Sequence, residues 1–252
     1  MNVVVNGLMT NYLKVGSGRR VIILLHGWGD SSATFADFGR RLAKNYTVLT
    51  VDLPGFGATQ EPPRPWGVDD YANFVVTWLN KIGQKDVYAL IGHSNGGAIA
   101  ISMLGRKLIK SKKLILIASS GIRDIYKMRR VILRSGATIA RLPLKILPKR
   151  TRNRIKRRAY EAIGSDYMMM PELDASFRRL VNQDMQETAT HIDTPTLIIY
   201  GSADDTTPLK YGQLFKDAIN QSRLEVIEGA GHMIHQEKAE KVAALSKDFL
   251  NA

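Results

Sequence analysis

Three side chains of the kinds that carry out acyl transfer lie in short, glycine-marked segments. They are Ser94 in Gly92-His93-Ser94-Asn95-Gly96, Asp204 in Gly201-Ser202-Ala203-Asp204-Asp205, and His232 in Glu228-Gly229-Ala230-Gly231-His232. A serine hydroxyl is a weak nucleophile until a neighbouring imidazole takes its proton. A carboxylate behind that imidazole fixes its tautomer and stabilises the imidazolium that forms. Attack on a carbonyl also builds negative charge on oxygen, which fixed N–H donors must meet. A fourth segment, His26-Gly27-Trp28-Gly29, is a glycine-rich turn that can aim backbone N–H groups into such a crevice.

G-x-S-x-G becomes a nucleophile elbow only between a strand and a helix. Val87-Tyr88-Ala89-Leu90-Ile91 is an apolar run of strand length before it, and Gly97-Ala98-Ile99-Ala100-Ile101 is a small-residue run after it, suited to a closely packed helix start. The same alternation runs along the chain. Val3–Val5 and Tyr12–Val15 flank Asn6-Gly7 and read as a short hairpin or paired opening strands. Val21–Leu25, Thr47–Val51, Lys113–Ala118, Thr196–Tyr200 and Arg223–Ile227 read as further strands. Helices are expected over about Ser32–Lys44, Val68–Ile82, Leu209–Ile219 and Lys238–Leu250. Apolar strands alternating with helices imply an α/β fold: a mostly parallel, doubly wound sheet covered on both faces. Such sheets bind ligands at the carboxyl ends of their strands, where Ser94, Asp204 and His232 all fall. Between about Ile122 and Asp193 the apolar positions take helical spacing, with breaks at Pro143, Pro148 and Pro171, so an all-helical insertion is expected there. The division is a core of residues 1–121 and 194–252 with an inserted cap over 122–193.

The ordered set His26-Gly27-Trp28-Gly29, Asp52-Leu53-Pro54-Gly55-Phe56-Gly57, Gly92-His93-Ser94-Asn95-Gly96-Gly97, Gly201-x-x-Asp204-x-x-x-Pro208 and Gly231-His232 resembles the α/β-hydrolase fold family over nearly the whole chain. The resemblance implies Ser94 as nucleophile, His232 as general base and Asp204 as the residue that orients it. It implies the backbone N–H groups of Trp28 and Asn95 as oxyanion hole, and residues 122–190 as a helical cap over the pocket. The spacing from Gly201 to Pro208 favours Asp204 over its neighbour Asp205, and Asp124 is a remote third choice. His26, Gly27, Met168 and Met169 are the substrate-binding candidates. The Met168-Met169-Met170 run could line an apolar acyl pocket, since methionine adapts to varied shapes. His26 is expected to shape its loop by hydrogen bonding, His93 to pack beside the elbow, and Asp52 to tie down the Pro54-Gly55 turn. His191 and His235 belong to no motif, so surface or capping roles are expected.

The activity so implied is hydrolysis of carboxylic esters or thioesters through an acyl-Ser94 intermediate. Alternatives on the same scaffold are a C–C bond hydrolase, a lyase, and a non-catalytic receptor or scaffold. C–C hydrolases of this kind typically carry tryptophan after the histidine, where this chain has Met233. Epoxide hydrolases and haloalkane dehalogenases need aspartate at the elbow, which Ser94 argues against.

The 252 residues carry a net charge of +13. Residues 122–158 hold 14 Lys and Arg against one acid, leaving 22 basic and 22 acidic residues elsewhere. Any charged partner therefore concerns that segment. An anionic membrane surface, an acidic protein, or an anionic or carrier-bound substrate steered to the pocket mouth would each suit it. Nucleic acid is disfavoured, because Tyr126 is the segment's one aromatic residue on which a base could stack. Zero cysteines exclude disulfides and thiolate chemistry and fit a reducing cytoplasm. No secretory signal is read at the start, and no dinucleotide fingerprint, Walker pattern or paired-histidine helix is present, so no cofactor or metal is expected.

Overall fold

The computed structural model describes residues 1–123 and 173–252. Eight strands form one sheet: β1 (Asn2–Val5), β2 (Leu8–Val15), β3 (Arg20–Leu25), β4 (Tyr46–Val51), β5 (Val87–His93), β6 (Ser111–Ile117), β7 (Thr196–Gly201) and β8 (Ser222–Ile227). Their order is β1-β2-β4-β3-β5-β6-β7-β8. β1 pairs antiparallel with β2 and β2 with β4, and every other pairing is parallel. The opening hairpin turns on Asn6 and Gly7, both at positive φ (50° and 81°), and pairs Val5 with Leu8. Two consecutive positive-φ residues are what a two-residue type I′ turn demands.

Among the described residues the helices are α1 (Ala36–Leu42), α2 (Val68–Lys81), α3 (Asn95–Gly105), α4 (Asp174–Asn182), α5 (Gln186–Thr190), α6 (Leu209–Ala218), α7 (Ile234–Glu237) and α8 (Ala239–Asn251). They lie on both faces of the sheet, so its central strands are apolar on both sides. Ile23, Leu25, Leu90 and Ile198 pack with residues of α2, α3 and α6, whereas Ile22, Leu24, Ile91 and Ile199 pack with those of α1 and α8. Ile22 to Leu25 are wholly buried. A strand covered on both faces has no polar side to alternate with, which explains the unbroken apolar runs.

The helix expected from Ser32 begins four residues later. The Ser32 N–H donates to Asp52 Oδ1 at 2.6 Å, so residues 32–35 form turns instead. The final helix begins at Ala239, after the separate short α7. Of the expected insertion, α4 and α5 lie within the described residues, and α4 is fastened to the core. The Trp66 N–H donates to Ser176 Oγ at 2.9 Å, and the Val68 N–H donates to Gln183 Oε1 at 2.5 Å. Residues 124–172, with Asp124, Met168, Met169 and most of the basic segment, lie outside the described residues.

Candidate active site

Ser94 joins β5 to α3 with φ 50° and ψ −117°. A non-glycine residue there is strained by about 1–3 kcal/mol, and such strain persists only where the surroundings over-determine it. Here they do. The Ser94 N–H donates to the Ile117 carbonyl at 3.1 Å, and the Ser94 carbonyl accepts from Gly97 at 3.0 Å and Ser120 at 3.0 Å. The flanking glycines are steric necessities. A Cβ on Gly92 would stand 2.4 Å from the Gly96 carbonyl oxygen, and one on Gly96 would stand 2.0 Å from that of Leu25. The elbow is thus pressed against the end of β3. Ser94 alone is partly exposed while His93, Asn95 and Gly96 are buried.

Gly27 follows β3 directly, and a Cβ there would sit 3.2 Å from the Ser94 Cβ. The turn carrying Trp28 therefore lies against the serine. Asn95 opens α3, where first-turn N–H groups have no partner within the helix. Neither the Trp28 nor the Asn95 N–H has an acceptor among the described residues.

β7 and β8 bring Asp204 and His232 together. A Cβ on Gly201 would meet the Ala230 carbonyl oxygen at 2.1 Å, and the Ala203 N–H donates to that carbonyl at 3.0 Å. The two loops can touch only because Gly201 has no side chain. Asp204 Oδ2 then lies 2.8 Å from His232 Nδ1. The Asp204 side chain is fully buried and that of His232 is 14% exposed, so the imidazole keeps a reachable edge and the carboxylate does not. Oδ1 accepts the Thr206 and Thr207 N–H groups at 2.8 and 2.9 Å, and Thr207 Oγ1 lies 2.9 Å from Oδ2. Burial works against ionisation of Asp204, but the bonds from His232 and Thr207 outweigh it and hold the carboxyl below its ordinary range. The His232 loop is also fastened to the elbow. His93 Nε2, on the residue before Ser94, is 3.0 Å from the His232 carbonyl oxygen and donates to it.

Thr207 was not anticipated from the sequence. The signal was present as Asp204-Asp205-Thr206-Thr207, since an aspartate whose side chain captures N–H groups two and three residues on makes an Asx-type turn.

The remaining candidates separate. His26 is wholly buried. Its Nε2 accepts the Leu53 N–H at 2.9 Å, so its Nδ1 carries the proton and donates to the Gly27 carbonyl at 2.8 Å. Both nitrogens serve the loop, which leaves no polar atom free for a substrate. Burial lowers its pKa and keeps it neutral. Asp52 does not hold the Pro54-Gly55 turn directly: the Gly55 N–H goes to the Gln60 carbonyl. The Asp52 carboxylate instead accepts from Ser32, Asn11 and Ala58 at 2.6, 2.8 and 3.0 Å. It lies under Gly57, where a Cβ would clash with Oδ2 at 2.3 Å. His235 is not a surface residue. It is 2% exposed, stacks on Phe35 at 4.7 Å between ring centroids, and lies 4.3 Å from the His93 ring. Burial, reinforced by His232, lowers the His235 pKa to about 4. Burial, with His235 and His232 nearby, takes His93 well below the imidazole range. His191, by contrast, is exposed at the end of α5. Trp28 stacks edge-on against Phe56 at 4.9 Å and lies 5.2 Å from Phe177 of α4, so an aromatic wall stands beside the Gly27 turn.

Residues 22–245 match the profile of the alpha/beta hydrolase family. A pimeloyl-[acyl-carrier protein] methyl ester esterase of Neisseria meningitidis is 28% identical over 91% of this chain and 93% of its own length. A 2-hydroxy-6-oxo-6-(2'-aminophenyl)hexa-2,4-dienoic acid hydrolase of Metapseudomonas resinovorans is 27% identical over 97% of this chain and 88% of that one. In structure, the enol-lactonase of Burkholderia xenovorans superposes with a TM-score of 0.79 at 19% identity, covering 100% of both chains, and shows the shared fold. The strained serine after β5, the Asp204–His232 pair across β7 and β8, and a family match that takes in most of β3 and all of β4 to β8 agree: the chain belongs to the alpha/beta hydrolase family and is a hydrolase.

Proposed function

We propose that the protein hydrolyses carboxylic esters, thioesters included, through an acyl-Ser94 intermediate. The observation that carries this reading is the 2.8 Å contact between Asp204 Oδ2 and His232 Nδ1. An ionised carboxylate there requires a proton on Nδ1, which leaves the lone pair on Nε2 as the base. His232 Nε2 takes the Ser94 proton as Oγ attacks the substrate carbonyl. The oxyanion meets the Trp28 and Asn95 N–H groups, each donor contributing about 3–4 kcal/mol. His232 then returns the proton to the leaving alcohol or thiol, and water repeats the sequence on the acyl-enzyme. The wall of Trp28, Phe56 and Phe177 suits an apolar acyl chain.

An anionic or carrier-bound substrate is favoured on two grounds. The +13 charge resides in residues 122–158, and the Neisseria relative is named for an acyl-carrier-linked ester. Residues 122–193 form the cap in this reading, with Met168 and Met169 beside the acyl chain. Among the described residues no helix is long and apolar enough to cross a membrane, and a cytoplasmic location is part of this reading, one that a chain without cysteine fits. The Metapseudomonas relative, whose name specifies a hydrolase of a dienoic acid, supports C–C bond cleavage as a second reading. Met233, where tryptophan typifies such enzymes, weighs against it.

The test combines a fluorophosphonate with p-nitrophenyl esters of rising acyl length. Wild type is expected to gain one adduct by intact mass and to turn the esters over, and Ser94→Ala to do neither. Labelling without ester turnover would move the assignment to C–C cleavage. No labelling of folded wild type would remove the nucleophile altogether.

A further inference from the structure

Behind the elbow, on the far side of His93 from the His232 carbonyl, three polar atoms converge without hydrogen-bond partners among the described residues. They are Asp30 Oδ2, His93 Nδ1 and His235 Nδ1, all buried atoms. One ligand atom from each of the three residues lies within 4.8 Å of those of the other two. Both histidines are 2% exposed. A buried polar atom left unpaired costs about 1–3 kcal/mol, so three such residues in one cluster call for a common occupant.

Their protonation says which kind. His93 Nε2 faces the His232 carbonyl at 3.0 Å and must carry the ring proton to donate there, so Nδ1 presents a lone pair. The Gln236 amide lies 3.5 Å from His235 Nε2. The amide nitrogen is the nearer atom, so an ion at His235 Nδ1 requires the Gln236 amide to turn its oxygen to the ring and accept the Nε2 proton. Asp30 Oδ1 accepts the Ser31 N–H at 2.8 Å, which orients the carboxylate and leaves Oδ2 for the cluster. In that state all three atoms are acceptors, more than the two protons of one water can satisfy. A cation satisfies all three.

We infer that Asp30, His93 and His235 form a binding site for a single divalent transition-metal ion of the zinc type. Two imidazoles and a carboxylate select such ions over magnesium and calcium, which prefer all-oxygen shells. Zinc holds these ligands at about 2.0–2.2 Å, so the three side chains would draw together around the ion from separations of up to 4.8 Å. The hydrogen bond from His93 Nε2–H to a backbone carbonyl is the outer-shell partner that metal-bound imidazoles use. Here that carbonyl belongs to His232, so an ion on His93 would hold the His232 loop to the elbow. The three ligands come from the loop after β3, the end of β5 and α7. No sequence spacing reveals them.

The experiment uses the untagged, full-length protein. It is dialysed against micromolar free Zn2+ or Mg2+, bound metal is counted by mass spectrometry, and Co2+ is titrated with the visible spectrum recorded. One Zn2+ per chain, no retained Mg2+, intense d–d bands on Co2+ addition and a rise in Tm with Zn2+ are expected. Loss of an outer-shell partner costs about 10–100-fold in metal affinity, so loss of a direct ligand in His235→Phe should cost about 100-fold or more. His235→Phe retains a ring against Phe35. Asp30→Asn, which keeps the bond from Ser31 and alters a partly exposed loop, should weaken binding in the same way and serves if His235→Phe does not fold. Failure of wild type to retain Zn2+ would overturn the proposal. So would unchanged stoichiometry and Co2+ spectrum in the variants, which would put the ion on other ligands. Neither outcome bears on Ser94, whose role is read separately by fluorophosphonate labelling.

Discussion

Asp204 Oδ2 and His232 Nδ1 are 2.8 Å apart, although 28 residues separate them, because Gly201 lets the loop after β7 close onto the carbonyl of Ala230. The carboxylate is buried and has three further bonds from Thr206 and Thr207. It is therefore held as the anion, facing one imidazole nitrogen. Asp204→Asn keeps the shape and presents an amide where an anion is needed. It should lower kcat by about 10⁴-fold with little change in KM, as expected when the imidazole is left in the wrong tautomer. Steady-state kinetics on a p-nitrophenyl ester decide this, and a loss under tenfold would count against Asp204 as the orienting group.

Ser94→Ala removes the oxygen and keeps the backbone. Turnover should fall by about 10⁴-fold or more. Stability should stay within about 1 kcal/mol, because the strained φ is imposed by bonds to Ile117, Gly97 and Ser120 that alanine keeps. Chemical denaturation beside the kinetics separates the two effects.

Thr207→Val should be milder. It deletes a hydroxyl that lies 2.9 Å from both Asp204 Oδ2 and the Ala118 carbonyl, and leaves the Thr207 N–H bond to Oδ1 intact. A net hydrogen bond is worth about 1–1.5 kcal/mol, so kcat should drop about tenfold. An unchanged kcat would show that the backbone bonds alone hold the carboxylate.

Gly96→Ala tests the steric argument for the elbow. The new methyl would sit 2.0 Å from the Leu25 carbonyl oxygen, which belongs to a central strand and cannot move aside. Destabilisation of about 3 kcal/mol or more is expected, at the upper end for overpacking. A Tm equal to wild type would contradict the packing of α3 on β3 described above.

Asp52 supplies the pH dependence. Burial alone would raise its pKa, but hydrogen bonds from Ala58, Ser32 and Asn11 bring it below the ordinary carboxylate value. A carboxyl with a depressed folded-state pKa contributes stability that is complete above the unfolded value, about 3.9. That contribution is lost as pH falls through the folded-state value. Asp52→Asn should therefore be less stable than wild type at pH 7 by about 1.5–3 kcal/mol, the range for bonds to a charged group. The gap should narrow progressively below about pH 4. Urea denaturation across that range checks it, and a gap that widened in acid would reverse the sign argued here.

The sequence by itself determined the alternation of strands and helices, the opening hairpin about Asn6-Gly7, and the order of Ser94, Asp204 and His232 at the carboxyl ends of their strands. These are local properties: apolar period, turn chemistry, and glycine where a Cβ has no room. Tertiary structure decided what depends on neighbours distant along the chain. It put Asp204, not the exposed Asp205, against His232. It gave both nitrogens of His26 to its own loop, and moved Asp52 from one turn to three separate segments. It buried His235 against Phe35 and beside His93, where sequence alone suggests a surface residue. An isolated histidine carries no periodic signal of its burial, because burial is set by elements that arrive from elsewhere in the chain and close over it.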